Sequence, residues 1–142
     1  MGEERILVVG ATNRPQDLDE AARRRLVKRL YIPLPEEPAR IQIVRNLLHS
    51  QTHLIKDNEF EEIGNLTEGY SGADMANLCK ESAMGPIRSL DYSRMESVQP
   101  EDVRPINFCD FQDALRQVKA SVSDKDLQMY LDWNNQYGST AK

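Results

Sequence analysis

An asparagine and a nearby run of arginines are the residues of this sequence best suited to phosphate chemistry. Asn13 lies just beyond the short apolar run of residues 5–9, where an amide can hold a water molecule or a phosphate oxygen. The arginines at 23–25 carry planar guanidinium groups, which bind phosphate oxygens through paired hydrogen bonds. Alternatives stay open on these residues alone: an ordinary Asn-Arg-Pro turn at 13–15, and a solvated helix end or a nucleic-acid patch for the basic run.

The composition of the 142-residue chain is that of a soluble globular protein, with 39% apolar and 29% charged residues. A net charge of -5 argues against a dedicated nucleic-acid binder, so direct nucleic-acid binding is not expected. The two cysteines, Cys79 and Cys109, lack metal-ligand spacing; we expect two buried thiols and no metal site. The N-terminal apolar run is too short for a signal peptide or a membrane span, which predicts a nuclear or cytoplasmic protein without a membrane partner.

Two short strands and a helix are predicted to position the asparagine and the arginines. The β-branched run at 5–9 favours a central parallel strand buried on both faces, with Asn13 at its carboxyl end. Asp17 is the predicted N-cap of the helix that carries the arginines. Residues 30–35 predict an edge strand stopped by two prolines. The sequence therefore predicts an α/β remnant, the last strands of a parallel sheet, over residues 1–35.

Residues 36–120 predict a small helical domain, because apolar side chains recur there at helical spacing. Ser71 and Asp74 form the Ser-x-x-Asp pattern of a capping box. The small residues around them let a ligand approach the helix start, although an ordinary capped helix is the alternative. Residues 91–104 predict a surface loop. Further predicted boundaries are an N-cap at Asn58, an end or kink at Pro86, and an N-cap at Asp110.

Residues 121–142 predict a C-terminal helix and tail. The helix is expected from residue 124 to 137, with Ser123 as its cap and Gly138 at its end. Aromatic and large apolar side chains are frequent on it. We therefore expect the helix to dock on its own large domain or on a neighbouring subunit.

Four segments in order resemble those of the AAA ATPase family, and the match covers almost the whole chain. They are Val-Val-Gly-Ala-Thr-Asn-Arg-Pro at 8–15, Leu-Asp-Glu-Ala at 18–21 before the arginines, Tyr-Ser-Gly-Ala-Asp at 70–74 and Gly-Pro-Ile-Arg at 85–88. The closing residues resemble the meiotic branch with katanin, spastin and fidgetin, which carries an additional C-terminal helix. The resemblance implies the end of a P-loop-type sheet, then an all-α lid domain and a C-terminal docking helix.

The resemblance also implies roles for individual residues. Asn13 matches the sensor-one position, which polarises the attacking water near the γ-phosphate. Arg24 and Arg25 match arginine fingers, which reach the ATP of a neighbouring subunit, although Arg23 leaves open which two of the three arginines act. Four further residues match positions against the nucleotide base: Ile43, Leu47, Gly72 and Ala73.

The cofactor implied by the resemblance is ATP with Mg, and the implied partner is the protein itself in a homohexamer. The sequence has no Gly-x-x-x-x-Gly-Lys-Ser/Thr and no apolar strand ending in Asp-Glu, so we expect no Mg ligands here and no ATP hydrolysis by this chain alone. The implied function is the C-terminal portion of a hexameric ATPase that remodels a protein substrate, tubulin tails or a recombinase, bound by other regions. The alternative is a non-catalytic short form that regulates or oligomerises with a full-length ATPase.

Overall fold

The structure is a computed structural model that describes residues 5–90 and 98–139. Parts of the predicted N-terminal segment, surface loop and tail lie outside these residues. Within them the chain divides into two compact units, one holding residues up to Ile32 with those from Asp124 onward, the other Pro33–Ser123. The helices are α1 Glu20–Arg25, α2 Glu37–Leu48, α3 Asp57–Leu66, α4 Gly72–Arg88, α5 Phe108–Gln117 and α6 Asp124–Tyr137.

The unit of residues 33–123 is built from α2 to α5 around an apolar core. Helix α4 packs against both α2 and α5, and α2 also packs against α3. The helical spacing of the apolar residues places one face of each helix in this core. Its fully buried side chains are Val44, Leu48, Ile63, Met75, Leu78 and Phe111.

Reciprocal caps begin two of these helices. The predicted capping box is present: the Asp74 N–H donates to Ser71 Oγ at 3.2 Å, and the Ser71 N–H donates to the Asp74 carboxylate at 2.9 Å. Helix α5 repeats the pattern, with Asn107 as N-cap, so the prediction of Asp110 as the cap was wrong. Asp110 instead lies in the first turn and accepts from the Asn107 N–H at 2.9 Å.

Two other predicted boundaries differ from the structure. Helix α3 begins one residue before Asn58, and Lys56 occupies the N-cap position, with its N–H donating to Glu59 Oε2 at 2.7 Å. Pro86 does not end α4, which continues to Arg88, and the alternative of a kink at Pro86 stays a prediction. No described helix is long and apolar enough to cross a membrane.

The two predicted strands at 5–9 and 30–35 are not strands in the described part of the chain. Ile6, Leu7, Val8 and Val9 are 73–87% exposed. A strand is defined by hydrogen bonds to a neighbouring strand, and the described residues contain no strand to pair with either run. The described residues therefore give no evidence for the expected α/β remnant, and their regular structure is helical.

The helix that carries the arginines also begins later than predicted. Residues Pro15–Asp17 form a 3₁₀ turn, and the N-cap of α1 is Asp19 rather than Asp17. The Asp19 carboxylate accepts a hydrogen bond from the Ala22 N–H at 2.7 Å. Asp19 lies three residues before Ala22, the spacing at which an N-cap side chain reaches the backbone N–H of the first turn. Asp17 lies outside the helix and forms an ion pair with Arg14 at 2.8 Å.

The two thiols differ in exposure. Cys79 is buried in α4, and burial raises its pKa to about 12. Cys109 is exposed, so the expectation of two buried thiols was wrong for it. Cys109 follows Phe108, which packs on the core, and a one-residue step turns a helical side chain by about 100°.

Candidate functional site

The seven residues predicted for nucleotide chemistry fall into two groups, one in each compact unit. Asn13, Arg24 and Arg25 belong to the first unit, and the lid residues belong to the second. No hydrogen bond or ion pair joins Asn13 to either arginine in the described residues. Their segments instead share a neighbour, helix α6.

Asn13 has a fixed backbone and a free amide. Its carbonyl oxygen accepts a hydrogen bond from the Tyr130 hydroxyl at 2.9 Å. The next residue is held locally, because the Arg14 N–H donates to Thr12 Oγ1 at 3.0 Å. The Asn13 side chain is exposed and makes no hydrogen bond to another described residue. The amide is thus available to a water molecule or a phosphate oxygen.

The three consecutive arginines of α1 have different surroundings. Arg23 donates to the Leu18 carbonyl at 2.5 Å, and its guanidinium lies 4.7 Å from the ring centroid of Tyr137. Arg24 is exposed and pairs with Glu20 one turn earlier. Arg25 is exposed and has no hydrogen bond or ion pair with other described residues. Contacts with Leu18 and Tyr137 therefore hold the Arg23 side chain, whereas the side chains of Arg24 and Arg25 face solvent.

Arg29 is a residue whose role was missed in the sequence. Its Nε donates to the Tyr137 carbonyl at 2.6 Å, and its Nη1 donates to the Arg23 carbonyl at 2.7 Å. The Arg29 N–H donates to Ser139 Oγ at 3.1 Å, and the Arg29 carbonyl accepts from the Ser139 N–H at 2.8 Å. The last carbonyls of a helix have no partner within the helix, and Arg29 binds one of them in α1. An arginine shortly after the helix is the only sequence signal for this role.

A shallow depression of about 440 Å³ lies beside α1. Three arginines and one glutamate contribute to its wall, which gives it a positive balance suited to an anion. Its lining residues are Glu20, Arg23, Arg24, Val27, Arg29 and Tyr137.

The lid residues Gly72 and Ala73 are the first two residues of α4 and are exposed. A Cβ placed on Gly72 would meet no atom within 4 Å, so open space lies in front of this helix start. Backbone N–H groups at a helix start carry partial positive charge. On α2, Ile43 is half-buried and Leu47 is 41% exposed, one turn apart on the helix that packs against α4. The lid thus offers apolar side chains and an uncovered helix start.

The start of α4 is fixed to the chain that follows α5. The Asp74 carboxylate accepts the Ser121 N–H at 3.1 Å, and the Tyr70 hydroxyl donates to the Val118 carbonyl at 2.5 Å. Burial would raise the pKa of Asp74, but hydrogen bonds from Ser71 and Ser121 outweigh it and hold the pKa below its ordinary value. Burial, and then the charge of Asp74, raises the pKa of Tyr70. Asp74 remains an acceptor at neutral pH. The described residues contain no cluster of three or more His, Cys, Asp or Glu side chains able to hold a metal ion.

Comparison with known proteins supports the resemblance. Residues 57–104 match the AAA+ lid domain, and residues 93–138 match the Vps4 C-terminal oligomerisation domain. Fidgetin-like protein 1 of Rattus norvegicus is 56% identical over 136 residues, which are 96% of this chain and 20% of that protein. Spastin of Danio rerio is 43% identical over 139 residues, 98% of this chain and 24% of its own length. The chain spans about a fifth to a quarter of these relatives.

Solved structures give the same assignment. The crystal structure of the FIGL-1 AAA domain has a TM-score of 0.90 and 50% identity, covering 98% of this chain and 46% of that chain. Its complex with ADP has a TM-score of 0.88 and 51% identity, covering 94% and 46%. A katanin structure described as a basis of self-assembly has a TM-score of 0.75 and 28% identity, covering 85% and 44%. The chain therefore belongs to the AAA ATPase family and contains the lid and C-terminal oligomerisation region of a fidgetin- and katanin-like member.

Proposed function

We propose that this chain is the C-terminal portion of a homohexameric ATPase that uses ATP hydrolysis to remodel a protein substrate. The observation that carries the proposal is the division among the arginines of α1. Arg23 is held against α6, while Arg24 and Arg25 remain exposed, as groups that act on another subunit must be. The substrate classes we propose are tubulin tails or a recombinase filament, and the compartment is the nucleus or cytoplasm.

In this mechanism Asn13 and the two arginines act on different nucleotides. The free Asn13 amide orients the attacking water at the γ-phosphate bound by its own subunit. Arg24 and Arg25 stabilise the charge that develops on the phosphate of the neighbouring subunit, an effect worth about 10³–10⁵ in rate. The exposed pair of Arg24 with Glu20 is weak, on the order of 0.3–0.5 kcal/mol, so phosphate can replace the carboxylate.

The lid residues would hold the nucleotide. The open space before Gly72 and Ala73 admits the base against the backbone, and Ile43 and Leu47 supply apolar contacts from α2. The ADP complex of the similar FIGL-1 AAA domain supports nucleotide as the ligand. Mg would balance phosphate charge when bound, and we assign none of its ligands to the described residues.

Mixed hexamers of the complete ATPase test this division of roles. One variant carries Asn13→Ala with its arginines intact, and the other carries Arg24→Ala and Arg25→Ala with Asn13 intact. The arginine variant alone should lose about 10³-fold in kcat, and the Asn13 variant alone should also lose most of its turnover. Mixed, they should regain turnover, because an intact finger can then face an intact Asn13. Failure to complement, with assembly intact, would contradict the proposal.

The control substitution is Lys28→Ala, since Lys28 is exposed in the same basic run and has no partner among the described residues. Its turnover should equal that of the wild type. If Lys28→Ala and the arginine variants instead cause similar losses, the basic run acts through its overall charge rather than through two fingers.

The match of residues 93–138 to an oligomerisation domain favours a second candidate function. In it, this polypeptide by itself joins full-length subunits and changes their turnover. That function needs the oligomerisation surface but neither Asn13 nor the lid residues. Asn13→Ala should therefore impair the first candidate function and leave the second unchanged.

A further inference from the structure

Helix α6 is the element that contacts both candidate catalytic segments of its compact unit. Tyr130 and Tyr137 lie seven residues apart on it, which is two helical turns, so their side chains share one face. Trp133 lies between them, and its ring is 5.5 Å from that of Tyr137. One aromatic face of α6 therefore serves both segments.

Tyr130 acts on the backbone of Asn13. Its hydroxyl donates to the Asn13 carbonyl at 2.9 Å, across 117 residues of sequence. The described segment around Asn13 forms no β ladder and is mostly exposed, so this bond is its hydrogen bond to a distant part of the chain. A fixed carbonyl limits rotation of the peptide unit next to the Asn13 Cα, and this restrains the Cα–Cβ bond from which the side-chain amide extends.

Tyr137 acts on α1 in a different way. Its ring lies under the Arg23 guanidinium at 4.7 Å, and its carbonyl accepts from Arg29, which also binds the Arg23 carbonyl. These contacts fix the rotation of α1 about its axis. Successive side chains on a helix are about 100° apart, so holding Arg23 against α6 also fixes the directions in which Arg24 and Arg25 leave the helix.

We propose that Tyr130 and Tyr137 are positioning residues for the ATPase reaction, Tyr130 for Asn13 and Tyr137 for Arg24 and Arg25. This inference rests on the proposed function. One face of α6 sets the spacing of the two segments, about 10.5 Å along the helix for two turns. Asn13 serves the nucleotide of its own subunit, and the arginines serve that of the neighbour. The two tyrosines must therefore act on different active sites of the hexamer.

Single substitutions in the complete ATPase give the first test. Tyr130→Phe removes only the hydroxyl and should lower kcat about 10-fold, with the KM for ATP and hexamer assembly unchanged. Tyr31→Phe is the matched control, since the Tyr31 hydroxyl has no hydrogen-bond partner among the described residues, and it should have wild-type turnover. Tyr137→Leu should lower kcat about 10-fold, and Tyr137→Phe, which keeps the ring under Arg23, should restore it.

Mixed hexamers then separate positioning from general stabilisation. A Tyr130→Phe subunit should still supply fingers to an Arg24→Ala, Arg25→Ala neighbour, but it should hydrolyse its own ATP about 10-fold more slowly than a wild-type subunit when paired with Asn13→Ala subunits. A Tyr137→Leu subunit should hydrolyse its own ATP when paired with Asn13→Ala subunits. It should support an Arg24→Ala, Arg25→Ala neighbour only weakly, because its fingers are poorly positioned. A substitution that merely weakens the fold would impair both positions equally, and that result would overturn the inference.

The parent variants show which proposal has failed. If Asn13→Ala and the arginine variant do not complement each other, the proposed function is wrong. If they complement, while the tyrosine variants behave like the wild type or lose both positions together, only the positioning roles are wrong.

Discussion

Asp110 shows how one buried carboxylate holds two segments of the lid together. It is 6% exposed and accepts two hydrogen bonds from the Arg104 guanidinium, at 2.7 and 2.8 Å. Burial would raise its pKa, but the Arg104 hydrogen bonds and the Asn107 N–H outweigh burial and hold the pKa below its ordinary value. The ionised form is therefore the one that the fold stabilises.

Asp110→Asn should lower the free energy of unfolding by about 1–2 kcal/mol at neutral pH. The effect is modest because Arg104 is partly exposed and solvent screens its charge. A carboxylate with a lowered folded pKa stabilises fully above its unfolded pKa, about 3.9, and loses this as pH falls through the folded pKa. The difference between wild type and variant should thus be constant above about pH 5 and shrink below pH 4. Urea unfolding across this range measures it. The control is Asp113→Asn on the same helix, because the Asp113 pair with Arg116 is exposed; an equal loss there would contradict the prediction.

The two cysteines should react at very different rates. Cys79 is buried with a pKa of about 12, so at pH 8 it has almost no thiolate and little access to reagent, whereas Cys109 is exposed. A chromogenic disulfide reagent should label one thiol in the native chain and two in denaturant. Cys109→Ser should remove the fast reaction and Cys79→Ser should leave it. Two fast thiols in the native chain would show that Cys79 is not buried in solution.

The contact between α4 and α5 depends on the absence of a side chain at Gly85. A Cβ placed there would lie 2.1 Å from Asp110 Oδ1 and 2.6 Å from Asp110 Cγ. The carboxylate cannot move aside freely, since Arg104 and Asn107 hold it. Glycine at this position therefore serves close packing between helices.

Gly85→Ala should destabilise the chain by about 1–3 kcal/mol, despite the better helix propensity of alanine. Thermal or urea unfolding measures the change. In an Asp110→Gly background the same substitution should be neutral or stabilising, because the three nearest atoms that the new Cβ would meet, all of them in the Asp110 side chain, are gone. Gly72→Ala is the control, with open space around it, and should change stability by less than about 0.5 kcal/mol. A loss that persists without the Asp110 carboxylate would point to another cause.

At the scale of the molecule, its two compact units have different kinds of support. Residues 33–123 enclose an apolar core between α2 and α5. The other unit holds segments far apart in sequence, joined by contacts such as those of Arg29 with Tyr137 and Ser139. The unit of residues 33–123 is predictable from helical periodicity, while the other unit depends on which distant groups meet.

The lid was largely predictable from sequence. Apolar spacing gave the helices, and the Ser71–Asp74 capping box is present because both partners lie within one turn. The predicted strand at 5–9 was wrong, since strand formation needs a partner that local sequence does not supply. The exposed thiol of Cys109 was missed because the N-cap predicted at Asp110 left Cys109 outside the helix, whereas α5 begins at Phe108.

The sequence by itself determined the family resemblance, the lid helices and the candidate residues at Asn13, in α1 and at the start of α4. Only the tertiary structure separated Arg23 from Arg24 and Arg25 and placed Tyr130 against Asn13. The reason is range: a capping box joins residues three apart, whereas the Tyr130–Asn13 bond joins residues 117 apart. Such a contact depends on how the whole chain folds back, and no local periodicity encodes it.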